Sequence, residues 1–245
     1  MIPDKVIITG ITGGLGMAVS RFIPSSNLIG IRRNNLKKKY SQKIVVDLRN
    51  YEAVEYMCKQ YANNNFHNNE KLGIVLAAGE LGNPASFENS NLKDWKNVFE
   101  VNVLGNFAVL LGFLPHMIKS GFGRVVVVSG GGAASPFPNF GGYSISKVSI
   151  VREVENISVE LRDVIPDFSI IALAPGAMPT KMLEKVKATG AVPRTLVETA
   201  ETANFIKNFL ETEKEEALPL SGKFIHVRDD LTSDFKDKWV LRRVE

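Results

Sequence analysis

The sequence predicts an α/β protein in which a doubly wound parallel β-sheet is covered by helices on both faces. Two observations carry this prediction: short β-branched runs recur along the chain, and the segments between them have apolar residues at helical spacing. The runs are apolar throughout rather than alternating, which is typical of strands buried on both faces of a parallel sheet. Strand and helix alternate over most of the chain, as right-handed crossovers require.

Seven strands are predicted, and two helices stand out by their length and spacing. The helices are expected at 102–118 and 143–161. The strands are expected at 6–8, 28–31, 44–46, 73–76, 125–128, 169–172 and 223–227.

The composition is that of an ordinary globular protein, with 44% hydrophobic and 23% charged residues in a chain of 245. An α/β chain of this length commonly forms one unit, so we expect a single domain over residues 1–245. Lysine and arginine exceed aspartate and glutamate by only 30 to 26, and we expect no nucleic-acid partner. The excess is scattered except in one basic stretch, which contains Arg32, Arg33, Lys37, Lys38 and Lys39.

Cysteine and histidine are too few for a disulfide or a metal cluster, since Cys58 is the single cysteine and the three histidines are far apart. The chain enters a strand almost at once, and we expect no signal peptide. No apolar run approaches the roughly 18 residues that a membrane span needs. We therefore expect a soluble, cytoplasmic protein without a membrane partner.

Two segments are expected to be irregular. Residues 63–69 are rich in asparagine and predict a solvated loop. Residues 178–196 combine a partly helical pattern with Pro179, Gly190 and Pro193, as in a mobile flap over a substrate, although an ordinary surface loop fits that pattern nearly as well.

A glycine-rich turn follows the first predicted strand and opens a helix. Glycines there let the backbone turn tightly and approach a pyrophosphate, whose charge then lies at a helix N-terminus. A plain strand-to-helix turn also uses glycine, but this position in the chain favours a nucleotide. The candidate binding residues are Gly10, Thr12, Gly13, Gly14 and Leu15.

Tyr143 and Lys147 are four residues apart in a predicted helix and therefore share one face. An ammonium about 4 Å from a phenolate could lower the pKa of the phenol by up to about three units, which would bring tyrosine into the range of a general acid. On spacing alone, a surface aromatic beside a solvated charge is the more common arrangement. The upstream glycine turn favours the catalytic interpretation.

Across nearly the whole chain these motifs resemble the short-chain dehydrogenase/reductase family. The resemblance rests on Thr-Gly-x-x-x-Gly-x-Gly from Thr9, on Asn102 within Val-Asn-Val, on Tyr143-x-x-x-Lys147 and on Pro175-Gly176 through Thr180. It implies a Rossmann fold that binds a nicotinamide dinucleotide, with a homodimer or homotetramer formed through the helices at 102–118 and 143–161. Further cofactor contacts are implied at Asp47, Leu48, Ala78, Gly79, Tyr143, Lys147, Pro175, Gly176 and Thr180.

The resemblance also implies catalytic roles. Tyr143 would protonate the carbonyl oxygen as hydride arrives, Lys147 would hold the nicotinamide ribose, and Asn102 would support a proton-relay water. Arg32 and Arg33 end the second predicted strand, where an acidic residue would select NAD and an arginine would bind a 2′-phosphate. We expect NADP as the cofactor, with NAD possible.

Two positions depart from the family pattern. Ala78 stands where the family has an asparagine with structural duties, so neighbouring hydrogen bonds are expected to be rearranged. Gly130 stands thirteen residues before Tyr143, where the family has a serine that polarises the substrate. Ser129 is adjacent, and either its hydroxyl or an N–H of Gly130 or Gly131 could take over, since consecutive glycines permit a bulge.

The leading hypothesis is an NADP-dependent carbonyl reductase or alcohol dehydrogenase. The alternative is a dinucleotide-binding sensor or scaffold that has lost turnover, and it is favoured only if Ser129 does not reach the substrate. The loop at 131–140 and the flap at 178–196 are expected to line the substrate pocket, whose aromatic and proline residues suit a sugar, a lipid or a polyketide.

Overall fold

The computed structural model describes residues 3–34, 42–193 and 196–229. Seven strands within these residues form one parallel sheet in the order β3-β2-β1-β4-β5-β6-β7, so the predicted fold class is confirmed. The lysines of the basic stretch, Lys37, Lys38 and Lys39, lie outside the described residues. The strands are β1 Lys5–Thr9, β2 Leu28–Arg32, β3 Gln42–Val45, β4 Leu72–Leu76, β5 Phe122–Val128, β6 Asp167–Ala174 and β7 Phe224–His226.

The sheet reverses its direction of growth between β1 and β4. Strands β2 and β3 extend it on one side of β1, and β4 to β7 extend it on the other. Ligands of doubly wound sheets bind in the crevice at the carboxyl ends of the strands where the order reverses. The glycine turn after β1 and the segment after β4 both lie at this crevice.

All seven predicted strands exist, and only their ends differ from the prediction. The largest differences are in β5, which begins at Phe122, and in β6, which runs from Asp167 to Ala174. Both strands extend beyond the apolar runs that predicted them. They do so because β5 and β6 remain hydrogen-bonded to each other past the ends of those runs.

The helices cover the two faces of the sheet with two separate cores. Ile7 and Ile74 point into the larger core, and Ile8 and Val75 point into the smaller one, because successive side chains of a strand point to opposite faces. The α-helices are α1 Gly14–Ser20, α2 Tyr51–Asn65, α3 Leu92–Phe99, α4 Asn106–Ser120, α5 Gly131–Ala134, α6 Gly141–Glu160, α7 Lys181–Lys187, α8 Thr199–Glu211 and α9 Lys214–Ala217.

The helix predicted at 102–118 is part of a longer one. A π-helical segment, Glu100–Gly105, joins α3 to α4, so the helical stretch is continuous over Leu92–Ser120. By length and composition alone this stretch passes as a membrane span, and the expectation that no stretch would do so is wrong. Its apolarity has another explanation, since Val109, Phe113 and Met117 are fully buried in the larger core.

The two segments expected to be irregular are partly helical. The loop predicted at 63–69 begins only at Phe66, because α2 continues to Asn65, whose side chain donates to the Tyr61 carbonyl. Within 178–196, α7 is capped by the Thr180 hydroxyl, which accepts from the Leu183 N–H. A bridge between Ala177 and Leu196 closes the base of this segment.

Candidate active site

The glycine turn packs by its backbone against the segment that follows β4. Gly10 has a φ of +63°, and a Cβ there would lie 2.8 Å from the Cα of Ala78. A Cβ at Gly16 would collide with the Gly10 carbonyl oxygen, to which the Gly13 N–H donates at 2.8 Å. Side chains are therefore excluded at these turns, as the close approach of a pyrophosphate to the backbone requires. The residues of this turn fit a dinucleotide.

A buried hydrogen-bond network surrounds Ala78. The Ala78 N–H donates to the Thr9 hydroxyl at 3.0 Å, and the Thr9 hydroxyl donates to the Asn106 side-chain oxygen at 2.7 Å. The Asn106 amide donates to the Ala78 carbonyl at 3.0 Å. Thr9 and Asn106 thus hold both backbone groups of the residue that replaces the family's asparagine. Asn106 is not among the predicted site residues, although it follows Asn102 by one helical turn.

The segment 175–180 forms the opposite wall of the crevice. A Cβ at Gly14 would lie 2.7 Å from the Thr180 methyl group, so the glycine turn and the start of α7 are in contact. Gly176 has a φ of +71°, and the Pro175 carbonyl accepts from the Thr202 hydroxyl at 3.2 Å. The predicted cofactor residues of both segments are therefore brought together.

Asn102 and Lys147 converge on Gly79. A Cβ at Gly79 would lie 3.5 Å from the Asn102 side-chain oxygen and 3.7 Å from the Lys147 Nζ. Asn102 is fully buried and holds the Glu80 backbone at both ends, accepting from its N–H at 2.7 Å and donating to its carbonyl at 2.9 Å. It lies in the π-helical segment, and such segments are frequent at functional sites.

Lys147 is almost completely buried, with 3% of its surface exposed. Its Nζ donates to the Val128 carbonyl at 2.8 Å and lies 5.4 Å from the centroid of the Tyr143 ring. Burial lowers the pKa of Lys147 to about 8, because an ammonium loses hydration inside the protein.

The predicted lowering of the Tyr143 pKa is wrong for this structure. Burial raises the pKa of Tyr143 to about 12, since the phenolate is the form that loses hydration. The Lys147 ammonium lies beside the ring and donates to Val128, so it does not offset this effect. Tyr143 is therefore a protonated phenol at neutral pH.

Ser129 and Gly130 face different parts of the molecule. The Ser129 hydroxyl is buried and donates to the Lys147 carbonyl at 2.9 Å. At Gly130, by contrast, a Cβ would lie 3.1 Å from the Tyr143 hydroxyl. Position 130 thus borders the Tyr143 hydroxyl, while the Ser129 side chain ties β5 to α6.

The residues predicted to hold the adenosine end lie at the ends of β2 and β3. Arg32 is buried, whereas Arg33 is exposed and pairs with Glu80 at 3.2 Å. Asp47 pairs with Arg49, whose hydrogen bonds hold the pKa of the Asp47 carboxyl below its usual range. Leu48 is buried against Gly105 of the π-helical segment.

The two segments predicted to line the substrate pocket meet around Tyr143. The rings of Phe137 and Phe140 stack at 4.6 Å, and Phe137 makes an edge contact with the Tyr143 ring at 6.2 Å. Val186 and Met182 of α7 belong to the same apolar cluster. The loop at 131–140 and the flap are therefore packed together on one side of the tyrosine.

Comparison with known proteins identifies the family. A short chain dehydrogenase profile matches residues 4–191. The chain belongs to the short-chain dehydrogenase family. The predicted family is confirmed, and it is a family of nicotinamide-dependent oxidoreductases.

Curated relatives of this family member match it over segments of different length. An uncharacterized oxidoreductase of Schizosaccharomyces pombe is 29% identical over 46% of this chain and 44% of its own length. Dehydrogenase/reductase SDR family member 4 of Sus scrofa is 36% identical over 35% of this chain and 30% of its own length. The 3-oxoacyl-acyl-carrier-protein reductase of Rickettsia conorii is 24% identical over 74% and 75%. The match thus spans less than half the length of the first two relatives.

Solved structures of similar fold cover almost the whole chain. NAD⁺-bound xylitol dehydrogenase aligns with a TM-score of 0.79 and 21% identity, covering 92% of this chain and 98% of its own. ElxO with NADP bound aligns with a TM-score of 0.76 and 22% identity, covering 93% and 97%. At such identities these likenesses show the fold alone.

The buried Lys147 predicts a stability that depends on pH. Its pKa of about 8 lies below the ordinary lysine value, so the unfolded chain binds more protons than the folded one between those two values. Stability therefore rises with pH over that window. We expect Lys147→Met to raise the free energy of unfolding by about 2 kcal/mol at pH 7. The substitution removes the desolvation penalty of the ammonium, but it also removes the hydrogen bond to the Val128 carbonyl, which offsets part of the gain.

Urea unfolding of both proteins at pH 7 and above pH 10 measures this effect. The difference between them is expected to shrink at the higher pH, where Lys147 is neutral in the folded protein and is losing its proton in the unfolded chain. The exposed Lys187→Met is the matched control and is expected to change stability little at either pH. A Lys147→Met protein that is less stable than the parent at pH 7 would contradict the prediction.

Proposed function

We propose that this protein is an NADP-dependent oxidoreductase that transfers hydride between a nicotinamide and a carbonyl or alcohol substrate, with Tyr143 as general acid and base. The observation that carries the proposal is the convergence of Lys147 and Asn102 on Gly79, beside Tyr143 and next to the glycine turn. Family membership supports the same reaction class. When bound, the nicotinamide supplies hydride in reduction and accepts it in oxidation.

Tyr143 moves the proton. In reduction its hydroxyl gives a proton to the carbonyl oxygen while the carbonyl carbon gains hydride, and in oxidation the phenolate takes the alcohol proton back. A pKa of about 12 keeps the phenol protonated at neutral pH, as reduction requires. The phenolate left after proton transfer is reprotonated through a water held near Asn102.

The remaining predicted residues hold the cofactor. Lys147 binds the nicotinamide ribose. Arg32 and Arg33, at the end of β2, provide the cation that a 2′-phosphate needs. ElxO, a neighbour in fold, was solved with NADP, which supports this choice, while NAD⁺ in the xylitol dehydrogenase keeps NAD possible. The other residues proposed to contact the cofactor are Gly10, Thr12, Gly13, Gly14, Leu15, Asp47, Leu48, Ala78, Gly79, Pro175, Gly176 and Thr180.

A backbone N–H takes the place of the missing serine as the second donor to the substrate oxygen. The Ser129 hydroxyl is bonded to the Lys147 carbonyl, which favours the N–H of Gly130 or Gly131 over this side chain. The backbone at Gly130 borders the Tyr143 hydroxyl, where charge develops on the oxygen.

The same geometry supports one competing function. With Ser129 turned towards α6 and no side chain at Gly130, the site resembles one that has lost its substrate donor. In that case the protein binds the dinucleotide as a sensor or scaffold without turnover. The two functions differ in whether any carbonyl compound is reduced.

The organisation of the chain and its assembly remain proposals as well. We infer one domain over residues 1–245, since the sheet continues from β1 to β7 across the described residues. A homodimer or homotetramer is supported by three exposed apolar side chains, seven residues apart, that share one face of the helical stretch through α4. Leu104, Leu111 and Ile118 are 44%, 52% and 43% exposed. A cytoplasmic location stays a prediction.

Tyr143→Phe tests the mechanism directly. We expect turnover with NADPH and a reducible ketone to fall by about a hundredfold or more, because a general acid contributes that much. The dissociation constant for NADPH, measured by fluorescence titration, is expected to change little. Tyr56→Phe, on the exposed face of α2, is the matched control. Retained turnover in Tyr143→Phe would remove this residue from the mechanism.

The arginines at the end of β2 predict a cofactor preference. We expect NADPH to bind roughly tenfold or more tightly than NADH, since one charge-assisted hydrogen bond corresponds to that ratio. Arg33→Ala is expected to reduce the ratio, whereas Arg152→Ala, on the exposed side of α6, is expected to leave it unchanged. Equal dissociation constants for the two cofactors in the parent protein would refute NADP selection.

Ser129→Ala separates the two candidate donors. If a backbone N–H polarises the substrate, we expect less than about a tenfold loss of turnover, whereas loss of a substrate donor typically costs about a hundredfold or more. Gly130→Ser is the companion variant, because Gly130 has extended φ and ψ of 164° and 175° that a serine can adopt. A hundredfold gain in Gly130→Ser would mark a degraded site and favour the sensor.

A further inference from the structure

A cavity of about 170 Å³ lies beside Tyr143, between the segment that follows β4, helix α3 and the start of α6. An apolar cavity of about 150 Å³ holds one benzene molecule, so this volume suits one six-membered ring or a chain of similar size. Tyr143 lines the cavity, and its hydroxyl is the proton donor of the proposed reaction. A molecule that reacts at Tyr143 can therefore place its non-reacting part here.

The lining of the cavity is rich in hydrogen-bonding side chains. They include Asn83, Asn89, Ser90, Asn91, Asp94 and Asn139. An acyl chain or a steroid would displace water from these groups without replacing its hydrogen bonds, and displacing ordered water in that way lowers affinity. A ligand with hydroxyl groups replaces that water, because a hydroxyl both donates and accepts.

A hydrogen bond between two of these side chains, and a backbone bond between the two bordering loops, order one side of the cavity. The Asn83 amide donates to one Asp94 carboxylate oxygen at 2.9 Å and thereby orients it. The Ala85 N–H donates to the Asn139 carbonyl at 2.9 Å and joins the two loops that border the cavity. Asn139 has a φ of +68° and is the sole non-glycine residue with positive φ among the described residues. Asparagine adopts this left-handed conformation more readily than other non-glycine residues, and here it shapes the turn that borders the cavity.

One wall of the cavity is flat and rigid. The Trp95 ring lies against the backbone of α6, since Cβ atoms at Gly141 and Gly142 would both come within 2.8 Å of the ring atoms. The two glycines thus allow the indole to pack tightly against the N-terminus of α6, the helix that carries Tyr143. A planar apolar surface beside amides and a carboxylate suits a ring that has C–H faces and hydroxyl edges.

We propose that this cavity binds the non-reacting part of the substrate, and that this part is a polyhydroxylated ring or chain of about six carbons, as in a monosaccharide or cyclitol. The proposal rests on the proposed function, because Tyr143 fixes where the carbonyl must lie. It selects the sugar among the three substrate classes that the sequence left open.

The test compares two ketones that share one ring. Pentahydroxycyclohexanone carries a hydroxyl on every carbon except the carbonyl, and cyclohexanone carries none. With NADPH, we expect kcat/KM for the hydroxylated ketone to exceed that for cyclohexanone by roughly tenfold or more, the value of about one hydrogen bond to a charged group. A medium-chain 2-alkanone and a steroid ketone serve as probes of the other two classes.

Asp94→Leu tests whether the cavity causes the preference. We expect the ratio of kcat/KM between the two cyclic ketones to fall by roughly tenfold, since the variant loses the carboxylate and releases Asn83. Glu88→Gln is the control, because Glu88 is exposed on the same segment and does not line the cavity. Circular dichroism and thermal unfolding of each variant establish that it is folded.

Binding of pentahydroxycyclohexanone to the Tyr143→Phe protein with NADPH, measured by calorimetry, separates the inference from the proposed function. Binding without turnover in the parent protein supports the cavity as a polyol site and overturns the proposed reaction. Turnover of cyclohexanone, the alkanone or the steroid without preference for the hydroxylated ketone overturns the inference and leaves the reaction standing. If the protein neither binds pentahydroxycyclohexanone nor reduces any of the four ketones, the inference and the proposed reaction are both overturned.

Discussion

Hydrogen bonds among Thr9, Ala78 and Asn106 hold the ends of β1 and β4 to α4 at the point where the sheet reverses its order. The Thr9 hydroxyl both accepts and donates, so it links the backbone of one strand end to a side chain of the helix. Each such bond contributes only about 1 kcal/mol, but leaving any of these buried groups unpaired costs more than that. The crevice keeps its shape because the alternative arrangements expose unpaired polar groups to an apolar core. The glycine turn follows β1 directly, and Gly79 follows Ala78. This network therefore positions both the glycine turn and the segment after β4.

A second constraint is the burial of a charge. Lys147 is almost completely buried with its Nζ on the Val128 carbonyl, and its own carbonyl accepts from Ser129. These two bonds run in opposite directions between β5 and α6, so the helix carrying Tyr143 is fixed relative to the strand end. The burial costs stability, as the lowered pKa of Lys147 indicates, and the structure retains it where Lys147, Asn102 and Tyr143 meet.

The sequence predicts the fold well because its signals are local. Apolar runs mark the strands, and a glycine turn or a Tyr-x-x-x-Lys spacing can be read within a few residues. Asn106 was missed because its partner Thr9 is 97 positions away, and no local pattern links them. The pKa of Tyr143 was predicted in the wrong direction for a similar reason. Spacing places Lys147 on the same helix face as Tyr143. Tertiary packing, which spacing does not reveal, directs the ammonium to the Val128 carbonyl and buries the phenol, and this burial raises the Tyr143 pKa.

Gly10 and Gly130 are glycines for different reasons. Gly10 needs a positive φ and a close approach to Ala78, so the backbone itself requires it. Gly130 is extended, a conformation that any residue adopts, and no positive φ demands a glycine there. What a side chain at 130 would meet is the Tyr143 hydroxyl, 3.1 Å from its Cβ. The glycine therefore leaves the space beside the Tyr143 hydroxyl free of a side chain. A substrate that brings its own hydroxyl groups can fill that space and supply the hydrogen bonds that no side chain at 130 offers.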